Sequence, residues 1–308
     1  MTFDPSLDNS AARLAAMARA AGAGPDLTQG GGGNVSLKIG PERMLIKASG
    51  SRLAEMTGIS GYALVNHGNI KRQLAGCRMD DGELLEYLCA QSLPVKGSSA
   101  AKPSVETGFH ALLNTAVVHI HSACANVLNM TAEGRAAAAR LFPGAAWIDY
   151  VPPGARLCCA VDGPGRATGT QVLFLANHGL VVSAPGSEAA LERALRVNAE
   201  IRSALRLPLY PSADYPAAGL SAHNKARLER RGKAFMLDNV LSPDQALYCG
   251  PAELDGSGKD MAAVNEVLTA IFYILDCADT LGWTPRFLTK GDRDYLEGMK
   301  GGRYRRGR

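Results

Sequence analysis

Two histidines separated by one residue are the first feature of this sequence that could do chemistry. His119 and His121 follow the apolar pair Val117-Val118, a pattern that predicts a β-strand. Side chains two positions apart on a strand point the same way, so both imidazoles should project together from one edge of a sheet. Neighbouring neutral histidines suit a divalent metal, although such a pair alone fits two hydrogen-bonded structural histidines equally well.

A third histidine lies where a later apolar strand stops. Residues 172–175 are apolar, and Asn177-His178-Gly179 follows them as a small polar turn. Binding groups concentrate at such strand ends. His178 could therefore complete a three-histidine set with an open fourth position, which is the ligand pattern of catalytic rather than structural zinc.

A carboxylate is predicted at the start of a helix. Pro103 precedes the predicted helix 104–113, Ser104 can cap it, and Glu106 falls in its first turn. The helix dipole alone would account for a carboxylate at this position. The functional interpretation makes Glu106 a metal ligand or a general base close to the metal, with His110 on the same helical face.

A run of four glycines, Gly30–Gly33, precedes Asn34 and Ser36. Glycines let backbone N–H groups approach an anion closely, and a second glycine turn at 48–50 could converge on the same anion. A flexible turn is the simpler explanation of the run by itself. Nucleotide binding is disfavoured because no strand precedes Gly30 and no acidic residue follows at the required distance.

The elements that must position these residues alternate irregularly between strands and helices, so the class is α/β or α+β. The pattern predicts a hairpin at 35–47, a turn at 66–69, strands at 62–65, 116–121, 147–150, 171–175 and 180–183, and helices at 5–23, 80–91, 104–113, 124–130, 132–141 and 187–205. Beyond a proline-rich boundary at 208–216 it predicts a helix at 221–235, a strand at 245–249 and a helix at 261–281.

Composition excludes several classes of function. The 308 residues are 46% hydrophobic and carry a net charge of only +4, so nothing demands a nucleic acid or another polyanion as a partner. No apolar run approaches the roughly 20 residues that span a bilayer, and the start does not resemble a signal peptide. Seven irregularly spaced cysteines predict reduced thiols rather than a disulfide framework. We therefore expect a soluble cytoplasmic protein without a membrane partner.

Five short segments occur together, in one order, and resemble the class II aldolase/adducin family. That family includes fuculose-phosphate and rhamnulose-phosphate aldolases and ribulose-phosphate 4-epimerase. The matching segments are Gly33–Ser36, Lys47–Gly50, Pro103–Glu106 with His110, Val117–His121 and Asn177–Leu180. Residues 103–107, together with Leu241–Asp244, most resemble the aldolase portion of bifunctional rhamnulose-phosphate aldolase/short-chain dehydrogenase proteins. The resemblance to the core family covers roughly residues 10–210.

The resemblance implies a role for each matching residue. It implies Zn²⁺, or another divalent cation such as Mn²⁺ or Co²⁺, held by His119, His121 and His178. Glu106 would be the fourth ligand or an acid/base that exchanges with substrate. A substrate phosphate would be cradled by Asn34, Ser49, Gly50 and Ser104. Tyr150 would be a proton donor that serves the site of a neighbouring subunit.

The implied activity is retro-aldol cleavage of a ketose phosphate or sugar-acid derivative through a metal-stabilised enediolate. Val105 replaces a serine of the simplest sugar-phosphate aldolases and has no donor, which favours a substrate without phosphate. An epimerase, a dehydratase or a decarboxylase would use the same site, and an adducin-like binding module would need no metal ligands.

The implied fold is an α/β/α sandwich with a mainly antiparallel central sheet and a small C-terminal α/β extension. We expect a catalytic domain at 1–215 and an extension of unknown role at 216–308. The resemblance also implies a homotetramer that acts on a small-molecule sugar or sugar phosphate.

Overall fold

One mixed sheet organises the chain. The computed structural model describes residues 5–75, 79–95, 101–163 and 169–298. Within these ranges the strands are β1 (Asn34–Ile39), β2 (Arg43–Lys47), β3 (Tyr62–Asn66), β4 (Ser92–Leu93), β5 (Ala116–Ile120), β6 (Ala146–Ile148), β7 (Gln171–Leu175) and β8 (Gly179–Ala184). They form an eight-stranded sheet in the order β4-β3-β2-β1-β5-β8-β7-β6. Only β6 and β7 are parallel among these pairs, so the prediction of a mainly antiparallel sheet is confirmed.

Alternating apolar side chains give the sheet two buried faces. In β2, Leu45 joins one hydrophobic cluster, while Met44 and Ile46 join the other. In β5, Val118 and Val117 divide in the same way. This alternation follows from the two-residue period of a strand and forces a layer of helices onto each face.

The helices complete the two outer layers. Along the described chain they are α1 (Pro5–Ala21), α2 (His67–Leu74), α3 (Asp81–Ala90), α4 (Thr107–Leu112), α5 (Ala123–Asn129), α6 (Gly134–Leu141), α7 (Ala155–Asp162), α8 (Ser187–Ala204), α9 (Ala222–Arg231), α10 (Lys233–Asp238), α11 (Pro243–Tyr248), α12 (Pro251–Leu254), α13 (Met261–Leu281) and α14 (Lys290–Gly298). Helices α2, α3, α4 and α7 cover one face, and helices α1, α5, α8 and α13 cover the other. The predicted α/β/α class is confirmed.

Two local predictions in the first part of the chain were wrong. The turn expected at 66–69 is the start of α2, because the side chain of Asn66 accepts a hydrogen bond from the backbone N–H of Asn69 and caps the helix. Helix α4 begins at Thr107 rather than at Ser104, so Glu106 occupies the capping position instead of the first turn.

Two further predictions failed beyond residue 216. The strand expected at 245–249 is helix α11, because Ser242 caps it through the N–H of Gln245 and Pro243 opens it. The single helix expected at 221–235 divides into α9 and α10 at Gly232, whose φ of 89° no helix accommodates. The described residues after 205 contain helices and loops but no strand, so the extension that the sequence predicted as α/β is helical.

Helix α13 runs through the core. Its 21 residues are long and apolar enough to cross a membrane by length and composition, contrary to the expectation from sequence. However, 83% of its apolar window is buried within the protein, where it packs against α5, as the core helix of a globular protein does. The six cysteines among the described residues are free thiols, as predicted, and Cys77 lies outside those residues.

Candidate metal centre

Strand β5 brings the first two histidines to a buried edge. His119 is fully buried and pairs with Asn34 of β1 in the sheet register, while His121 lies one residue beyond the strand and is 6% exposed. Their Nε2 atoms are 3.2 Å apart. The expectation that both imidazoles project together is therefore confirmed by the geometry.

A turn with a left-handed residue positions the third histidine, His178. Asn177 has a φ of 53°, a left-handed conformation that asparagine tolerates better than most residues. Its side-chain Nδ2 donates to the carbonyl oxygens of Leu241 and Arg286, which hold the turn in place. Gly179 follows without a side chain because a Cβ there would lie 2.9 Å from the ring of His119. His178 is thus turned towards the other two histidines.

Three imidazole nitrogens lie close together, and one carboxylate oxygen lies beside two of them. The imidazole nitrogens of His119, His121 and His178 all lie within 4.8 Å of one another. Glu106 Oε1 lies 3.5 Å from His119 Nε2 and 3.3 Å from His178 Nε2. Ligands placed tetrahedrally around Zn²⁺ at bonds of about 2.0–2.1 Å are separated by about 3.3–3.4 Å. The three histidines, with Glu106 beside His119 and His178, therefore have spacings that fit a divalent cation.

Buried hydrogen bonds fix the carboxylate. Asn34 Nδ2 donates to Glu106 Oε2 at 2.8 Å and to Ser104 Oγ at 2.8 Å. Ser104 Oγ also accepts from the backbone N–H of Glu106. Burial raises the pKa of Glu106, but the adjacent rings of His119 and His178 outweigh it and hold that pKa well below its ordinary value. Glu106 is therefore an ionised group beside His119 and His178.

Hydrogen bonds at the Nδ1 atoms determine the tautomers of two of the imidazole rings. His119 Nδ1 lies 3.1 Å from the carbonyl oxygen of Leu180, and His121 Nδ1 lies 2.5 Å from Asp244 Oδ2. Both oxygens are acceptors, so each ring carries its proton on Nδ1 and leaves Nε2 free to bind a metal. His178 Nδ1 has no hydrogen-bond partner among the described residues, and burial lowers the pKa of this histidine to about 4. Sequence reasoning assigned no role to Asp244, although its segment, Leu241–Asp244, contributed to the family resemblance.

His110 supports the site without joining the cluster. Its Nδ1 lies 2.8 Å from Ser36 Oγ, and its ring packs against Phe109, which in turn meets the edge of His119. Burial lowers the pKa of His110 to about 3, so the ring is neutral. His110 is therefore a packing neighbour of the histidines.

Part of the predicted phosphate cradle is assembled next to Glu106. A strand bridge between Ala48 and Pro103 brings Ser49 and Gly50 beside Ser104, and the N–H of Ser49 donates to the carbonyl oxygen of Lys102. Ser49 and Gly50 face solvent more than Ser104 does. The amide of Asn34, by contrast, is directed to Ser104 and Glu106. A phosphate role for these four residues stays a prediction.

The glycine run packs against the C-terminal part of the chain. The N–H of Gly30 donates to Glu266 Oε2 at 2.6 Å. A Cβ on Gly30 would lie 3.2 Å from Ala263 and 3.3 Å from the ring of Tyr248. Glycine at position 30 is favoured because its φ is 55° and because side chains of α11 and α13 approach it closely, a reason other than the anion cradle that the sequence suggested.

Tyr150 lies against a small apolar cluster that contains neither Glu106 nor any of the three histidines. It packs with Val240, Leu288 and Leu296. Its hydroxyl is buried and has no hydrogen-bond partner among the described residues. Burial raises the pKa of Tyr150. The assignment of Tyr150 as a proton donor for a neighbouring subunit stays a prediction.

Comparison with known proteins matches most of the chain to one family. The family described as Class II Aldolase and Adducin N-terminal domain matches residues 12–205. This range contains Glu106 and the three histidines and ends before α9. A search of curated proteins found no match.

Solved structures give the same fold. The chain is similar to the N-terminal class II aldolase domain of a conserved protein from Thermoplasma acidophilum, at 24% identity and a TM-score of 0.56, over 67% of this chain and 96% of that one. It is also similar to L-fuculose 1-phosphate aldolases from Glaciozyma antarctica (13% identity, TM-score 0.45, covering 93% and 96%) and from Thermus thermophilus (17% identity, TM-score 0.41, covering 63% and 92%).

Proposed function

Because this chain belongs to the class II aldolase and adducin family, we propose that it is a divalent-metal-dependent aldolase. Its substrate would be a ketose phosphate or a sugar-acid derivative, cleaved at a carbon–carbon bond. The observation that carries the proposal is the buried cluster of Glu106 Oε1 with the Nε2 atoms of His119 and His178, completed by His121. A non-catalytic binding module would have no need of such a set of donors.

Each residue of the cluster has a chemical task in this proposal. His119, His121 and His178 would hold the cation. When bound, the cation would supply Lewis-acid stabilisation of the negative charge left as the bond breaks. Ionised Glu106 would take a proton from the carbon beside the substrate carbonyl in the synthetic direction and return it in the cleavage direction.

The arrangement around Glu106 suits this proton transfer. Asn34 donates to Glu106 Oε2, which leaves Oε1 facing the histidines. A carboxylate held by a buried amide does not rotate freely, so Oε1 would carry the proton in this proposal. Ser104 adds a second anchor through the backbone N–H of Glu106.

Elemental analysis of the purified protein tests the metal centre. We expect about one divalent ion per chain in the wild type and none in His119→Ala/His121→Ala. The double variant His67→Ala/His223→Ala removes two histidines from outside the cluster and should retain the metal. Absence of metal in the wild type after incubation with Zn²⁺, Mn²⁺ or Co²⁺ would reject the enzyme proposal in favour of an adducin-like binding module.

Product analysis tests the reaction type. Ketose phosphates and sugar acids would be incubated with the metal-loaded protein, and products identified by mass spectrometry. Two carbonyl fragments whose masses sum to that of the substrate are expected from an aldolase. An isomer of unchanged mass would indicate an epimerase, loss of water a dehydratase, and release of carbon dioxide a decarboxylase.

A further inference from the structure

The C-terminal part of the chain reaches the metal centre. Asp244 Oδ2 lies 2.5 Å from His121 Nδ1, and both side chains are less than one tenth exposed. Asp244 lies well beyond residue 205, where the family match ends. A residue outside the family region therefore contacts a side chain at the centre of the candidate site.

Helix α11 holds Asp244 firmly. Ser242 caps the helix, and Asp244 is in its first turn. The side chain of Gln245 donates to the carbonyl oxygens of Met236 and Asn239 and accepts from the N–H of Leu241. These bonds tie the start of α11 to the chain before it, so the carboxylate is presented from a rigid element.

Gly32 makes room for the contact. A Cβ at this position would lie 2.6 Å from His121 Nδ1 and 2.9 Å from Asp244 Oδ2. At the adjacent Gly31, a Cβ would meet only the hydroxyl of Tyr248, at an ordinary 3.5 Å. An alanine at position 32 would therefore push the imidazole of His121 and the carboxylate of Asp244 apart, whereas an alanine at position 31 would not.

We propose that Asp244 is a positioning residue for His121, supplied by the C-terminal extension, so that metal affinity depends on the docking of that extension. By accepting a hydrogen bond from the Nδ1–H of His121, the carboxylate fixes the ring orientation and the tautomer in which Nε2 is the ligand. It also makes the imidazole a better electron donor. Asn177, which bonds to Leu241 next to α11, links His178 to the same segment. The inference rests on the proposed metal centre.

The test measures Zn²⁺ affinity by competition with a chromophoric chelator, together with the melting temperature of the metal-free protein. Loss of an outer partner of a metal-bound histidine weakens binding by about 10- to 100-fold. We expect that loss in Asp244→Ala and a smaller one in Asp244→Asn, which keeps a neutral acceptor. Asp244→Asn should melt like the wild type. The control variant Asp255→Asn makes the same change at an exposed carboxylate that pairs with Lys233. It should leave the Zn²⁺ affinity unchanged.

The glycine pair supplies an independent test. Gly32→Ala should weaken Zn²⁺ binding as Asp244→Ala does, whereas Gly31→Ala should bind like the wild type. If the wild type binds Zn²⁺ but both Asp244 variants bind it equally well, this inference is wrong while the metal centre stands. Equal losses in Asp244→Asn and Asp244→Ala, with a parallel fall in melting temperature, would also overturn it. A wild type that binds no metal would reject the proposed function itself.

Discussion

Removal of the Asn34 side chain should destabilise the protein through Glu106. Asn34 Nδ2 donates at 2.8 Å to both Ser104 Oγ and Glu106 Oε2, and all three side chains are buried. In Asn34→Ala both bonds are lost, and the Glu106 carboxylate loses this donor in a place that water cannot easily reach. An ionised acceptor left without its donor in a buried site is costly.

The expected size follows from the two bonds. A neutral hydrogen bond contributes about 1 kcal/mol and one to a charged group about 1.5–3 kcal/mol, so the loss should be about 3 kcal/mol. With an unfolding entropy of about 2.1 cal/mol/K per residue over 308 residues, this lowers the melting temperature by about 5 °C. Calorimetry of the metal-free protein measures the shift. Asn69→Ala removes a partly buried bond to Gln91 and an exposed bond from Arg72, and it should lower the melting temperature by less than about 2 °C.

A second substitution separates the hydrogen bond from the shape of the side chain. Asn34→Asp keeps the size of asparagine but replaces the donor with an acceptor facing Glu106. Two carboxylates at this distance repel, so Asn34→Asp should melt lower than Asn34→Ala at neutral pH. If Asn34→Ala melts within about 1 °C of the wild type, or if Asn34→Asp is no worse, the argument that the amide holds the carboxylate is refuted.

Three further outcomes are expected. Glu106→Gln should keep the metal on the three histidines but lower the rate of bond cleavage by about 10²- to 10⁴-fold, and a rate near that of the wild type would exclude Glu106 as the proton carrier. The pKa of about 3 for His110 means that between pH about 6.5 and about 3 the unfolded chain binds a proton that the folded chain does not, so stability falls as the pH is lowered. His110→Asn should reduce this fall by up to about 1.4 kcal/mol per pH unit in urea unfolding at pH 7 and 5, and identical slopes would contradict the assignment. Gly134→Ala should destabilise by about 1–3 kcal/mol because its Cβ would overlap the carbonyl oxygen of Leu128, whereas Gly144→Ala, with open space around it, should be neutral, and equal stabilities would show that α6 can shift.

Much of the fold follows from local patterns in the sequence. The hairpin of β1 and β2 and the core helix α13 were predicted because their hydrophobic periodicity extends over whole elements. The errors fall in short segments. The strand expected at 245–249 is a helix because the capping signal of Ser242 and Pro243 outweighs a brief apolar run. Helices α9 and α10 separate at one glycine whose conformation the sequence alone does not reveal.

The sequence alone determined the chemistry that the candidate centre offers. The spacing of His119 and His121 fixes a common direction through the two-residue period of a strand, and Asn177-His178-Gly179 marks a turn at a strand end. The tertiary structure decided the rest. Asp244 meets His121 across 123 residues, and Gly30 of the glycine run bonds to Glu266 across 236 residues. Such contacts depend on how whole layers pack, and no local period or spacing encodes them.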